Sequence, residues 1–523
     1  MENADTKSKS KGREKGKAKR PTRTLTLVNG ERTLSQRGYA ILKAGNEDLI
    51  EDLKKELTVA PKVVPGMPGA EEGARPFPVY RENSKKLYVP RFFGLSRFGA
   101  PTQNRLHEGQ SAPRLVFHGT LRPEQEAPVA AFLAAARDPA RGGGLLVLPC
   151  AYGKTSMCLH IATKLQRKML VVCHKEFLMN QWRERIAQFV PTATVGLIKA
   201  STVDTEDKDI VIASLQSLAM KDYPDQDALF QQFGFVALDE CHHLGAEVFS
   251  RALSKITAPY TLGLSATPDR KDGLRKVFEW FIGPPAFEVR KRADTQLRVL
   301  VRKFYTPDPD YSREHVIFNQ KPNAARMINN ICGYTPRNEL ILNTLREVMA
   351  EEPARKVIIL SDRRAHLIAL KDMIDACDPP LGETGFYVGG MKQAALDESA
   401  TRQIILATGA IANEGLDIPA LNTLIFASPV SSLEQPVGRI QRQKAHERVF
   451  TPLVIDIWDE FSIFMRQGYR RMAWYKKNGY ELTGDYTGGS REELNEMGCS
   501  LEKLEPGAGA TPSRKLSFRV EES

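Results

Sequence analysis

No apolar run in the sequence approaches the roughly 18 residues that a membrane-crossing helix needs, and the first residues lack the apolar core of a secretory signal. No membrane contact and an intracellular location are therefore expected. Cysteine is scarce: seven in 523 residues, odd in number, scattered, with no Cys-x-x-Cys spacing. Such usage argues against a disulfide framework and against a zinc site, and it fits a reducing compartment. Acidic residues are thin at the N-terminus, where residues 1–23 carry nine Lys or Arg against three Asp or Glu, so a short tail holds about half of the formal +11. What remains is mildly basic, which suits a partner with a phosphate backbone without requiring one. The length allows two to four domains of ordinary globular composition.

Residues 144–155, GLLVLPCAYGKT, are the centre of the chain. Leu145, Leu146, Val147 and Leu148 form the continuous apolar run of a buried parallel strand. A short turn follows, and Lys154 and Thr155 open a helix whose inward face is expected to be Met157, Ile161 and Leu165. Strand, small-residue turn and helix make a phosphate-binding loop, in which backbone N–H groups and a helix N-terminus hold a nucleoside triphosphate. Ala151, Tyr152 and Gly153 would form the cradle, Lys154 would reach the β- and γ-phosphates, and the Thr155 hydroxyl would ligate Mg²⁺. Glycine is missing twice from the usual patterns, with Leu at 148 and Ala at 151. If position 151 needs a positive φ, its Ala costs about 1 kcal/mol relative to Gly.

Composition divides the rest. Residues 1–24 read as a disordered basic tail, either an import signal or nucleic-acid arm or a solubilising segment. Residues 25–114 read as a small accessory domain with a helical pattern at 47–57, a Pro/Gly-rich interruption at 61–78, and a segment at 78–99 mixing aromatics with cations. There Tyr80, Tyr88, Phe92 and Phe93 sit among Arg81, Lys85, Lys86, Arg91 and Arg97. Two readings fit: a platform that stacks bases and binds phosphates, or an amphipathic hairpin packed on its neighbour. Residues 115–290 alternate strand-like runs (LLVLP, KMLVVCH, DIVIAS, FVALDE, YTLGLSAT) with helical patterns, which implies a parallel sheet covered on both faces. A polar connector is expected at 291–335. A second alternation at 336–479 (KVIILSD, GFYVGG, QIILAT, TLIFASP, PLVIDIWD) implies a second such sheet, and 480–523 reads as a Gly- and Glu-rich flexible tail. The second half has no Gly-Lys-Thr of its own.

Two further clusters carry chemistry. FVALDECHH ends a strand with Asp239 and Glu240, a carboxylate pair suited to hold Mg²⁺ through water and to polarise an attacking water. His242 and His243 follow, but adjacent residues rarely ligate one metal and no Cys/His partner is near. Ser265 and Thr267 end another strand, where hydroxyls can pass a hydrogen-bond change between halves. In the second half, ATGAIANEGLDIP carries Gly415 and Asp417 as nucleotide-facing candidates, and EQPVGRIQRQK carries Gln435, Arg439 and Arg442. Arginines three apart on a helix share a face, and a planar guanidinium fork suits a γ-phosphate.

The ordered set LRPEQ, AYGKT, VVCHKEFLMNQW, DECHH, SATP, ATGAIANEGLDIP and QPVGRIQRQ resembles the superfamily-two DExH helicases. Within them it looks like the XPB type and its relatives in large cytoplasmic DNA viruses, over roughly residues 115–475. The resemblance implies two tandem RecA-like parallel-sheet domains and an ATP hydrolase with Mg²⁺. It implies that Gln125 reads adenine, that Lys154 and Thr155 hold phosphate and Mg²⁺, and that Asp239 and Glu240 drive hydrolysis. His242 and Gln435 would couple the domains, and Arg439 and Arg442 would act as fingers from the second domain. His174, Gln181, Ser214, Ser361, Gly390 and Thr408 fall where such helicases touch a single strand. DRKDG resembles the Arg-Glu-Asp element of the XPB type at Arg270 and Asp272, but Lys271 reverses the charge of its middle position. The expected activity is DNA translocation, 3′ to 5′, in transcription or repair and beside proteins of those pathways, in nucleus, cytoplasm or virion. An RNA or RNA–DNA hybrid motor shares the same residues, and a weakly catalytic binding scaffold is the alternative that Ala151 raises.

Overall fold

The computed structural model describes residues 27, 30–61, 75–149, 152–240, 246–266, 273–289, 296–317, 322–409, 416, 418–443 and 447–485. The basic tail expected at 1–24, most of the Pro/Gly-rich interruption and the chain after 485 lie outside them.

The first half forms an eight-stranded sheet. Its order is Thr202–Asp204, Val195–Lys199, Ile210–Ser214, Met169–Cys173, Phe235–Asp239, Tyr260–Ser265, Gly143–Val147 and Pro285–Glu288. Every neighbouring pair is parallel except the first. The side-chain period of two explains why these strands read as unbroken apolar runs: alternate residues feed opposite faces, and both faces are covered. Leu145, Val147, Leu170, Val172, Val236 and Leu238 enter one core, whereas Leu146, Leu148, Met169, Val171, Phe235 and Ala237 enter the other.

The second half repeats the architecture with seven parallel strands: Thr384–Tyr387, Ile404–Thr408, Val357–Ser361, Thr423–Phe426, Leu453–Asp459, Arg298–Phe304 and Glu481–Gly484. Again Ile358 and Leu360 face one core while Val357 and Ile359 face the other. The chain is thus an α/β protein with two tandem RecA-like sheets. The second sheet is wider than its expected bounds on both sides. Arg298–Phe304, inside the expected connector, pairs in seven-residue register with Leu453–Asp459. Glu481–Gly484, inside the expected flexible tail, pairs with Arg298–Phe304 in turn. Both strands mix charge with apolar residues, and their partners lie far away in the chain, so neither shows as an apolar run.

Before the first sheet, a five-stranded sheet runs Arg81–Glu82, Lys86–Val89, Gly38–Leu42, Arg32–Ser35 and Gln103–Asn104. Helices Glu47–Glu56 and Arg91–Phe98 accompany it. The mixed aromatic and cationic segment is a hairpin followed by a helix, packed inward. Phe92 and Phe93 are buried, and Phe93 meets Trp280 edge-on at 5.3 Å between ring centroids. Those rings are not presented for base stacking, which corrects the platform reading for them. Arg91 is buried too, and its guanidinium donates to Ala258 O at 2.7 Å and Pro259 O at 2.9 Å. Burial without a carboxylate partner pulls its pKa down to about 10. The accessory sheet is therefore docked on the first RecA-like domain.

Candidate nucleotide site and nucleic-acid face

The strand Gly143–Val147 delivers the chain to Gly153, whose φ of +82° is the left-handed conformation that glycine tolerates best. A Cβ there would lie 2.2 Å from Gln125 Nε2, so space as well as conformation demands glycine. Gly153 is the N-cap of helix Lys154–Leu165, which buries Met157, Cys158, Leu159, Ile161 and Ala162 and leaves Leu165 at the core's margin. Ala151 lies outside the described residues, as do His242, His243, Thr267, Arg270, Lys271, Asp272, Gly415 and Asp417.

The LRPEQ stretch clamps this loop. Arg122 caps helix Pro123–Arg137, and Gln125 Oε1 accepts from the Arg122 N–H at 2.9 Å. Gln125 Nε2 then donates to Tyr152 O at 2.8 Å, and an Arg122 guanidinium nitrogen donates to the same carbonyl at 2.6 Å. The Tyr152 hydroxyl donates back to Glu124 O at 3.0 Å. Gln125 thus spends one N–H on the loop and one acceptor position on the cap of its own helix, leaving one of each.

Across the loop, Lys154 Nζ sits 3.3 Å from Glu240 Oε1 and 3.4 Å from Leu148 O. Thr155, in the first turn of the helix, is half-buried. Asp239 closes the strand Phe235–Asp239 and accepts from Trp182 Nε1 at 2.8 Å. Burial, and then the charge of Glu240, push its pKa up to about 6, against the Trp182 hydrogen bond and the charges of Lys154 and His174. Glu240 itself has a φ of +46°, uncommon for a residue with a side chain and a local strain of order 1 kcal/mol. Strain of this kind collects where a side chain must be aimed.

In the second half, Gln435 is buried in helix Glu434–Arg439. That helix ends at Arg439, so Arg442 does not share its face, contrary to the spacing argument. The two guanidiniums converge by another route: Arg439 and Arg442 both donate to Leu416 O, at 2.9 and 3.0 Å. Burial first, and then the charge of Asp397, raise the Tyr387 pKa; Glu184 of the first half adds to this, and Arg439 and Arg442 oppose it.

The residues assigned to strand contact gather at the carboxyl ends of the strands, where open α/β sheets bind ligands. Ser214, Ser361 and Thr408 are the last residues of their strands, and His174 directly follows Met169–Cys173. Gln181 lies on helix Glu176–Phe189, and Gly390 is exposed with a φ of +87° and open space around it. Their accessibility differs. Ser214, Gln181 and Thr408 are half-buried, while His174 and Ser361 are buried. The Ser361 hydroxyl is engaged internally, 2.9 Å from His366 Nδ1, and His366 Nε2 lies 2.9 Å from Asn338 Oδ1. Asn338 donates onward to Cys332 O, which leaves its Oδ1 as acceptor and fixes the imidazole proton on Nε2. Trp182, bonded to Asp239, and His366 and Asn338, linked to Ser361, are neighbours of candidate residues that sequence reasoning did not single out. An indole after Gln181 and an imidazole on an amphipathic helix both read as core.

Among the described residues no helix is long and apolar enough to cross a membrane, and no cluster of three or more His, Cys, Asp or Glu could hold a metal by itself. The family described as type III restriction enzyme, res subunit, matches residues 118–270. A protein of Acanthamoeba polyphaga mimivirus, named as an ATP-dependent RNA helicase, is 31% identical over 479 residues, 90% of each chain. An African swine fever virus protein with the same description is 28% identical over 366 residues, covering 66% of this chain and 70% of its own. A helicase of Escherichia phage T5 is 26% identical over 342 residues, 63% of this chain and 71% of its own. The crystal structure of T4 UvsW is similar over 84% of this chain and 95% of its own, at 15% identity and a TM-score of 0.33. With 90% coverage at 31% identity in the mimivirus protein, the chain belongs to the superfamily-two family of ATP-dependent helicases.

Proposed function

We propose that the chain hydrolyses ATP between its two RecA-like domains and uses the cycle to move 3′ to 5′ along DNA, in transcription or repair. The observation that carries this reading is the Lys154–Glu240 pair at 3.3 Å, set between the Gly153 cradle and the buried Asp239. The donors fit a Mg²⁺-bound nucleoside triphosphate: a glycine whose Cβ position is filled, a helix N-terminus, a lysine, a hydroxyl and two carboxylates. Thr155 and Asp239 would hold the metal, which when bound neutralises phosphate charge and orders the oxygens around it.

The chain's own residues do the rest. Lys154 is held by Glu240 and exchanges that carboxylate for phosphate oxygens, and the exchange releases Glu240 to accept a proton from the attacking water. Arg439 and Arg442 converge on one carbonyl, so a γ-phosphate brought between them as the cleft closes would meet two planar guanidinium forks. Gln125 carries the adenine reading with its remaining donor and acceptor, and Gln435 and His242 the coupling between halves. The strand rests on the carboxyl-end face, where backbone contacts position it without reading sequence.

RNA is the second reading, favoured by the names of the mimivirus and African swine fever virus relatives. Steady-state hydrolysis with no nucleic acid, single-stranded DNA, duplex DNA and RNA separates the two, with Glu240→Gln as control. DNA stimulation that vanishes in the control is the expected result. A larger response to RNA moves the assignment to the second reading. No turnover in folded protein that still binds nucleic acid refutes the motor and leaves a binding scaffold, with Ala151→Gly the first restoration to try.

A further inference from the structure

We infer that Trp182 is a positioning residue that ties the strand-facing helix to the Asp239 carboxylate, so that contact at Gln181 is felt at the metal site. The inference rests on the ATP-driven motor reading above. Helix Glu176–Phe189 leaves the first sheet at the same carboxyl end as the loop and the acidic pair. Gln181 and Trp182 are neighbours in sequence, hence about 100° apart around the helix. Gln181 is half-buried on the outer side, whereas Trp182 is 1% exposed and points into the domain.

An indole nitrogen can only donate, and here it donates to Asp239 Oδ2 at 2.8 Å. Asp239 is itself buried, so water offers little replacement for this bond. The bond fixes the carboxylate's rotation and leaves Oδ1 as the oxygen available to a metal's water shell. Hydrogen bonds weaken steeply once stretched or bent, so a shift of the helix by a fraction of an ångström changes how firmly Asp239 is held. A strand drawing on Gln181 acts on this same rigid helix one residue away. Packing alone would be served by any large apolar side chain; the tryptophan adds a donor that Phe, Leu and Met lack.

The test uses the full-length protein and a fluorescent ATP analogue titrated in Mg²⁺ and in EDTA, with and without single-stranded DNA. Trp182→Phe should lower affinity in Mg²⁺ by about tenfold, the worth of one hydrogen bond to a charged group. Affinity in EDTA, and for the single strand without nucleotide, should stay within about twofold, as neither uses Asp239. In the wild type the strand should raise Mg²⁺-analogue affinity, and the variant should lose most of that rise. Site-specific benzothienylalanine keeps the bicyclic shape and lacks the N–H, so it should reproduce the loss. The inference fails if affinities in Mg²⁺ and EDTA fall together, which marks core damage, or if benzothienylalanine behaves as wild type. A strand response retained in full by Trp182→Phe overturns the coupling alone. A wild type with no strand response removes the coupling, while the turnover assay still judges the motor reading and the Mg²⁺/EDTA comparison the hold on Asp239.

Discussion

Gly153→Ala offers a way to measure the phosphate cradle and its clamp together. Two costs arise at one position. The backbone at φ +82° places a Cβ in the left-handed region, worth about 1–2 kcal/mol. The same Cβ would lie 2.2 Å from Gln125 Nε2, too close for any contact, so the amide must leave Tyr152 O and forfeit a hydrogen bond of about 1 kcal/mol. Ser156 Oγ at 3.1 Å and an Arg122 guanidinium nitrogen at 3.3 Å would also be crowded, but both are ends of side chains that can give way. Together the loop is destabilised by about 2–3 kcal/mol, or roughly 30- to 150-fold in nucleotide affinity. The decisive comparison is made in a Gln125→Ala background, measured by anisotropy of a fluorescent ATP analogue. There the clash is gone, and adding Gly153→Ala should cost only the conformational part, about five- to thirtyfold and about fivefold less than in the wild-type background. An equal penalty in both backgrounds would refute the clamp and return Gln125 to a role away from the loop.

Three further outcomes follow from the geometry. Arg439→Lys and Arg442→Lys should each cut nucleic-acid-stimulated turnover by about 10³-fold or more, because a point charge does not replace a planar fork; near-wild-type kcat in either lysine variant contradicts the finger assignment. Arg337→Ala should destabilise the second domain by about 3–5 kcal/mol in urea unfolding, because it leaves Asp459, fully buried and bound by Arg337 at 2.6 and 2.9 Å, without its counter-charge. Burial and the nearby Arg337 depress the His366 pKa to about 3, so the folded state keeps the ring neutral while the unfolded chain protonates below its ordinary value. The sign is therefore a loss of stability as pH falls from about 6.5 towards 3, at up to about 1.4 kcal/mol per pH unit, and His366→Gln should flatten that slope in denaturant midpoints measured from pH 7 to pH 5.

All ten strands marked by apolar runs are strands of the two sheets; most are buried on both faces and so leave an unbroken signature in sequence, while the edge strand Thr384–Tyr387 buries alternate residues only. Val195–Lys199, Arg298–Phe304 and Glu481–Gly484 escaped because each buries alternate residues or few, and what makes them strands is a partner elsewhere in the chain. At Gly153 and Lys154 the geometry was legible: the helix opens at Lys154 as the Gly-Lys-Thr run implied, and Gly153 takes the left-handed φ that favours glycine. The Arg439–Arg442 relation was half legible: the spacing brought the cations together in thought, but the helix ends at Arg439 and the shared Leu416 carbonyl does the gathering. Trp182 was hidden because burial alone accounts for an indole, and only its hydrogen bond to Asp239 separates the two roles. Ser361 was assigned by position in a motif, whereas its hydroxyl belongs to the His366 and Asn338 chain beneath the surface.

On the reading proposed above, Lys154 rests on a carboxylate in a site only partly open to water, so phosphate must displace an anion to win it. Since that exchange is also the one that frees Glu240, the proposed base becomes available only after Lys154 has taken up phosphate.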